Sequence, residues 1–203
     1  FTGEAEEPWV LANELKRDYE IKQLDFTTES IDRSIKVLLL IHPRDLPEQT
    51  EYALDQFVLR GGKLIVFVDP YAYFDQQPSP MPGVGGGGTS SGLPHLFKAW
   101  GVAMNPGKVI ADMVYASGSG QRFSPTVHIL NPTAMNRDDV VTSQVETLLY
   151  AFGGAFEVKG KELKVTELLK SSPNSMLVEG PEVTKSGDDA TKNFKPSGNP
   201  MPL

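Results

Sequence analysis

The sequence contains no cysteine. This absence excludes disulfide bonds, thiolate nucleophiles and cysteine metal ligands. Basic residues are also sparse: 19 lysines and arginines stand against 26 acidic residues, no run of them is longer than two, and the formal net charge is −7. Nucleic-acid binding depends on clustered basic side chains that displace counterions from the phosphates. We therefore predict no nucleic-acid partner.

Long apolar segments are missing as well. The longest strongly apolar runs, Val37–Ile41 and Leu64–Val68, have five residues each, whereas a membrane-spanning helix needs ~20. The chain begins at Phe1 rather than at a methionine, with no signal peptide. We expect it to be an excised fragment whose flanking membrane anchors were left out. Its 39% hydrophobic and 22% charged residues suit a domain with a real core.

Three successive segments predict a strand, a helix and a second strand. The two apolar runs are continuous, which is typical of strands buried on both faces of a sheet. Between them, residues 47–60 carry Leu54, Phe57 and Val58 at helical spacing, and glycines follow. The strands of such a βαβ unit run parallel. We therefore predict an α/β fold with an open, mainly parallel sheet flanked by helices, and with these two strands adjacent at its centre.

The rest of the chain gives weaker patterns. We predict a helix over residues 8–18, a short strand over Tyr19–Asp25 and a helix over Leu93–Trp100 that ends at Gly101. The remaining predicted elements are strands at Lys108–Asp112, Thr126–Leu130 and Ser175–Val178, one bent or two short strands within Glu146–Val158, and a helical turn at Val165–Lys170.

Two segments are poor in apolar residues. Residues 77–92 are rich in glycine and proline, which predicts a mobile loop. A phosphate-binding loop would need a lysine directly after the glycines, and this segment has none. Residues 181–203 are polar and contain several prolines, which predicts a partly extended or disordered tail. We therefore place a single α/β domain at residues 1–180.

Polar residues follow both strands of the predicted βαβ unit. His42-Pro43 follows the first strand and Asp69-Pro70 the second. Ligands of open parallel sheets bind in the crevice at this edge, so His42 and Asp69 are candidates for a binding cleft. They could equally be turn residues that stop the strands. Tyr71 and Tyr73 follow, and they either form part of a partner surface or pack beneath the loop.

No catalytic pattern accompanies these residues. Pro70 opposes the strained backbone that a nucleophile at a strand-to-helix turn requires, and no Gly-x-Ser-x-Gly motif occurs. His95 and His128 are scattered, without metal-ligand spacing. We predict no catalytic residue, no metal site and no cofactor. A hydrolase or amidotransferase-like enzyme with an unrecognised site remains the alternative.

Several motifs together resemble a known family. The segment Tyr52–Leu64, followed by Val68-Asp69-Pro70, resembles the core of the gliding-motility-type ABC transporter auxiliary family. Four other stretches also fit the resemblance: Leu40–Pro43, Leu96–Gly101, Ser171–Ser175 and Phe194–Gly198.

The resemblance implies a flavodoxin-like sheet, similar to that of class I glutamine amidotransferases but without their chemistry. It implies an extracytoplasmic, periplasmic domain at the bacterial inner membrane, held by transmembrane helices outside this segment. It also implies partners, namely an ABC permease and its ATPase. It supplies no ligand and no catalytic residue. The expected function is therefore that of a noncatalytic binding or assembly domain in an ABC-type transport system.

Overall fold

The computed structural model describes residues 10–76, 88–160 and 163–203. Four α-helices and eleven β-strands lie in the described ranges. The helices are α1 (Val10–Leu15), α2 (Glu48–Leu59), α3 (Pro94–Trp100) and α4 (Gly187–Thr191). The strands are β1 (Val37–Ile41), β2 (Lys63–Phe67), β3 (Ala72–Gln76), β4 (Gly88–Thr89), β5 (Val102–Met104), β6 (Lys108–Asp112), β7 (Ala116–Ser117), β8 (Ser124–Leu130), β9 (Leu148–Ala151), β10 (Phe156–Val158) and β11 (Ser175–Glu179). None of the described helices has the length and apolar character to cross a bilayer.

The βαβ unit forms as the sequence predicts. Strands β1 and β2 are adjacent and parallel, with Val37 opposite Lys63 and Ile41 opposite Phe67. Helix α2 connects them and begins directly after Pro47. It ends at Arg60, where Gly61 takes the left-handed conformation with a φ of 94°, which glycine adopts without a steric penalty.

One face of the β1–β2 pair packs on the main hydrophobic core. The side chains that meet there come from β1, β2, α2, α3 and the residue before α3: Leu38, Leu40, Leu54, Phe57, Leu64, Val66, Leu93 and Leu96. Two side chains of α2 fix α3 at both ends. The buried carboxylate of Glu51 accepts a hydrogen bond from the Leu96 backbone N–H at 2.8 Å, and Asp55 accepts one from Trp100 Nε1 at 3.0 Å.

The other face of the β1–β2 pair is open among the described residues. Val37, Leu39, Ile65 and Phe67 point to it and are 57, 36, 47 and 58% exposed. The predicted burial on both faces is therefore not seen in this part of the protein. The other described strand pairs are antiparallel, so a mainly parallel, flavodoxin-like sheet stays a prediction.

The second half of the chain is built from short antiparallel pairs. Strands β7, β8 and β9 form one sheet, β6 pairs with β11, and β5 pairs with β10. The predicted strand region within Glu146–Val158 is thus two short strands, β9 and β10. At the end of β6, the buried Asp112 accepts hydrogen bonds from the backbone N–H and the hydroxyl of Ser172, at 2.6 and 2.8 Å. This carboxylate ties β6 to the segment that leads into β11.

The predicted tail is part of the fold. It contains a 3-10 helix at Gly180–Thr184 and helix α4. Its last residues run back along the domain, where the Phe156 N–H donates to the Pro202 carbonyl and the Leu203 N–H donates to the Leu169 carbonyl. These bonds explain why a polar, proline-rich end is extended yet stays with the domain.

Two predicted elements are wrong. Tyr19–Asp25 forms no strand, because no described strand edge pairs with it. Val165–Lys170 forms no helical turn; its last two residues make isolated antiparallel bridges with Met135 and Pro202. The predicted loop at 77–92 lies largely outside the described residues, apart from β4 and residues 90–92.

Gly101 ends α3 as the sequence predicts, with a left-handed φ of 67°. A Cβ at this position would lie 2.5 Å from the backbone nitrogen of Gly160. Gly101→Ala should therefore lower the free energy of unfolding by about 2–3 kcal/mol, since strain and overpacking add. Gly107→Ala is the matched control, because its φ is 74° but its Cβ would meet nothing within 4 Å. Urea denaturation that gave both variants equal losses would contradict the steric argument.

Candidate functional site

His42 and Asp69 lie together at the carboxyl edge of the parallel pair. The distance from His42 Nδ1 to Asp69 Oδ2 is 3.7 Å, which is too long for a hydrogen bond. His42 has a left-handed φ of 50°, which is strained for a residue with a Cβ. Its backbone N–H donates to the Phe67 carbonyl at 2.8 Å, so the end of β2 holds this turn in place.

The hairpin of β3 and β4 adds a second carboxylate. Asp75 Oδ2 lies 3.3 Å from His42 Nε2 and 2.8 Å from Arg44 Nη1. The Thr89 hydroxyl donates to the same carboxylate at 2.8 Å. We call these five residues the His42 cluster: His42, Arg44, Asp69, Asp75 and Thr89.

Residues that follow β4 clamp both strand ends. Asp69 and Ser91 form two hydrogen bonds of 2.8 Å: the Asp69 N–H donates to Ser91 Oγ, and the Ser91 N–H donates to the Asp69 carbonyl. The Gly92 N–H donates to the Pro43 carbonyl at 2.9 Å. The backbone at both strand ends is therefore held in place by the residues that follow β4.

The two acids of the cluster are electrostatically unlike. Burial raises the pKa of Asp69, and the nearby His42 offsets this only in part. The hydrogen bond from Thr89, assisted by the charge of Arg44, lowers the pKa of Asp75. The negative charge of Asp75 is thus stabilised by Thr89 and Arg44. The negative charge of Asp69 is stabilised less, because its neighbour His42 carries a positive charge only when it is protonated.

These opposite shifts predict opposite pH effects. The raised pKa of Asp69 means that its contribution to stability is fully present below the unfolded value of 3.8 and is lost as pH rises through the folded pKa. Asp69→Asn should therefore gain stability relative to wild type as pH rises above 3.8. Asp75→Asn should lose stability relative to wild type as pH rises toward 3.8, because the lowered pKa of Asp75 means that its ionised carboxylate stabilises the fold, a contribution that is lost as pH falls through the folded pKa. Denaturation midpoints measured from about pH 2 to 8 test this, and profiles of the same sign for both variants would contradict it.

Thr89, His42 and Asp69 follow one another as hydroxyl, imidazole and carboxylate, the order found in nucleophilic triads. The hydroxyl proton, however, does not point to the imidazole. Thr89 Oγ1 lies 3.3 Å from His42 Nε2, while the hydroxyl already donates its single proton to Asp75 at 2.8 Å. A general base must accept that proton itself. His42 does not receive the proton of the Thr89 hydroxyl in this arrangement.

The two candidate tyrosines do not join the cluster. Tyr71 is buried and packs with Val109 and Val183, so it is not available to a partner. Tyr73 is half-buried, with its ring 5.3 Å from that of Phe152. Phe74, on the opposite side of β3, is 91% exposed. Phe74, next in sequence to Asp75, is therefore the exposed aromatic side chain of β3.

Sequence reasoning did not find Arg44, Asp75 and Thr89 as site residues. Asp75 and Thr89 come together only because β3 pairs with β4 across a stretch that the sequence presents as a loop. Tyr73 packs and Phe74 is exposed, as successive residues of a strand alternate, but both are aromatic, so the sequence does not show this alternation. Arg44 stands two residues after His42, and only the position of Asp75 shows what it pairs with.

Comparisons with known proteins identify the family. A family profile described as an ABC-type uncharacterized transport system matches residues 3–203. An uncharacterized protein of Borreliella burgdorferi is 24% identical over 174 residues, which are 81% of this chain and 34% of that relative. The chain thus spans about a third of the length of this curated relative. No solved structure gives a significant match. Since the profile covers nearly all of its residues, the chain belongs to the family of ABC-type uncharacterized transport system proteins.

Proposed function

We propose that this chain is a noncatalytic extracytoplasmic accessory domain, and that it docks onto the permease of its transport system through the edge that carries the His42 cluster. The single observation that carries the proposal is the composition of that edge. A pre-ordered group of charged side chains stands beside an almost fully exposed phenylalanine, Phe74. Aromatic and arginine side chains beside fixed polar groups are typical of the residues that dominate binding energy in interfaces.

The charges of the edge indicate what the partner presents. Arg44 compensates Asp75 at 2.8 Å, whereas Asp69 has only His42 at 3.7 Å. Asp69 is half-exposed. A lysine or arginine from the partner would complete this pairing, and an apolar pocket would accept Phe74. An extracytoplasmic loop of the permease with these two features is the expected contact.

The location and the remaining partner rest on the family. Its description supports a place in an ABC-type transport system. The motifs of the βαβ unit resemble the gliding-motility type, which supports a periplasmic domain anchored by helices outside these residues. In this arrangement the ATPase subunit acts through the permease and not by contact with the domain. Phe74 and the His42 cluster would then serve assembly.

Docking is tested in the full-length protein by capture of the permease from detergent-solubilised membranes. Phe74→Ala and Asp69→Asn should each weaken capture by about tenfold or more, as expected for central interface residues. Tyr52→Ala and Asp138→Asn are matched controls, because they change an exposed tyrosine and an exposed aspartate elsewhere. Capture at the wild-type level by both folded test variants would remove the docking proposal.

A hydrolytic function is the second candidate, and the order of Thr89, His42 and Asp69 is the observation that favours it. A screen with esterase, amidase and phosphatase substrates tests it, with Thr89→Val as the decisive variant. We expect no turnover that depends on Thr89, because its proton is held by Asp75. Turnover that disappears in Thr89→Val while the fold is retained would overturn the noncatalytic proposal.

A further inference from the structure

A basic pocket lies at the amino edge of the β1–β2 pair, at the opposite end of the strands from the His42 cluster. Its volume is about 440 Å³, within the range of small-molecule sites. The residues that line it are Arg33, Ile35, Lys36, Arg60, Gly61 and Gly62. Strand β1 begins after Lys36 and β2 begins after Gly62. The Lys63 N–H donates to the Lys36 carbonyl at 2.9 Å, which joins the two sides of the pocket.

Positive charge collects in this pocket although the whole chain is acidic. Arg33, Lys36 and Arg60 bring three positive charges to one place in a chain with a formal net charge of −7. Among the described residues, no carboxylate lies within 4 Å of any of these three side chains. Asp32 stands next in sequence, but its carboxylate is engaged by Ser34, whose hydrogen bonds lower its pKa. Three cations beside a single carboxylate attract anions to the pocket.

Two of the three cations are held in position. The Arg60 guanidinium lies 5.3 Å from the centre of the Phe57 ring, within the range of a cation–π contact, and its Nη2 donates to the Asp32 carbonyl at 2.9 Å. Lys36 Nζ donates to the Arg33 carbonyl at 3.1 Å. A guanidinium has five N–H donors and an ammonium has three, so both groups retain donors for a ligand.

The number and kind of these donors indicate the ligand. Arginine pairs with phosphate and carboxylate oxygens alike, through two parallel hydrogen bonds. A carboxylate offers two oxygens to three cations. A terminal phosphate offers three oxygens and carries about two negative charges at neutral pH, so it can contact all three cations at once. The pocket is also larger than a bare ion requires, and Ile35 adds an apolar contact for an organic substituent.

We propose that this basic pocket binds a phosphate monoester through Arg33, Lys36 and Arg60. A small phosphorylated molecule and a lipid headgroup such as that of phosphatidic acid present the same terminal group, and the pocket accepts either. One pocket of three cations takes one phosphate, whereas a nucleic acid requires an extended series of basic side chains. The site is therefore compatible with the predicted absence of a nucleic-acid partner.

Titration calorimetry of the full-length protein with glycerol 3-phosphate tests the soluble source. The double variant Arg33→Gln/Lys36→Gln should bind it at least about tenfold more weakly than wild type, because two charge-assisted hydrogen bonds are lost. Lys98→Gln/Arg122→Gln is the matched control, since it removes the same charge at exposed residues that do not line the pocket. Equal losses in the two double variants would overturn the proposal. So would succinate, a dicarboxylate, binding to wild type within about threefold of glycerol 3-phosphate.

Lysine acetylation tests the lipid source. The full-length protein is reconstituted in vesicles of phosphatidylcholine alone, or of phosphatidylcholine and phosphatidic acid in equal parts. Phosphatidic acid should slow the acetylation of Lys36 at least about fivefold, with Lys98 in the same sample as the reference. Protection by the lipid without binding of glycerol 3-phosphate assigns the site to a headgroup, and the reverse assigns it to a soluble ligand.

No binding of glycerol 3-phosphate together with no protection of Lys36 would overturn the proposal. These outcomes are independent of docking, because the His42 cluster and Phe74 belong to the other end of the β1–β2 pair and none of them lines the pocket.

Discussion

Replacing Phe57 by alanine is expected to lower the free energy of unfolding by about 3–5 kcal/mol. Phe57 is fully buried in the core between α2 and the β1–β2 pair. A Cβ added at Gly62 would lie 2.5 Å from its ring, so the ring fills the space over the start of β2. Alanine would leave a cavity that the backbone of Gly62 and the strands cannot collapse to fill.

Urea denaturation of the folded protein measures this loss. Tyr52→Ala is the control, because Tyr52 belongs to the same helix but is exposed, and its removal should cost less than about 0.5 kcal/mol. A Phe57→Ala variant with the midpoint of wild type would show that α2 does not pack on the sheet as described.

Replacing Asp112 by alanine is expected to lower the free energy of unfolding by about 3 kcal/mol or more, because buried donors would lose their acceptor. The carboxylate is fully buried and accepts from Ser172 twice, from the Val114 N–H at 2.8 Å and from the Tyr115 N–H at 3.3 Å.

Asp112→Asn separates the hydrogen bonds from the packing. Asparagine has the same shape but one acceptor oxygen fewer. The Asp112→Asn variant should therefore have a free energy of unfolding between those of wild type and Asp112→Ala. Asp138→Ala, at an exposed aspartate, should be close to neutral. Thermal denaturation in which Asp112→Ala matches Asp138→Ala would refute the role given to this carboxylate.

The sequence was sufficient for the βαβ unit because its signals are local and agree with one another. Two continuous apolar runs, a helix of matching length and glycine at the helix end all require the same arrangement. The closeness of His42 and Asp69 follows from that unit alone, since parallel neighbouring strands end at one edge. This part of the candidate site can therefore be predicted from the amino-acid sequence.

The remaining site residues depend on a pairing that no local pattern reveals. Strand β4 has two residues, too few for any periodicity, and it brings Thr89 to Asp75. The failed strand at Tyr19–Asp25 shows the converse: strand-forming residues make no strand when their segment pairs with no described edge. The failed turn at Val165–Lys170 has the opposite cause, because pairing with Met135 and Pro202 overrides local preference.

The two hydrogen bonds between α2 and α3 have a mechanical consequence. Glu51 and Asp55 are one helical turn apart and grip the first and last turns of α3. Two anchor points on each helix resist both rotation and sliding, so the helices act as a stiff plate laid across β1 and β2. A displacement of α3 would therefore be passed on to α2 and to the strands on which it packs.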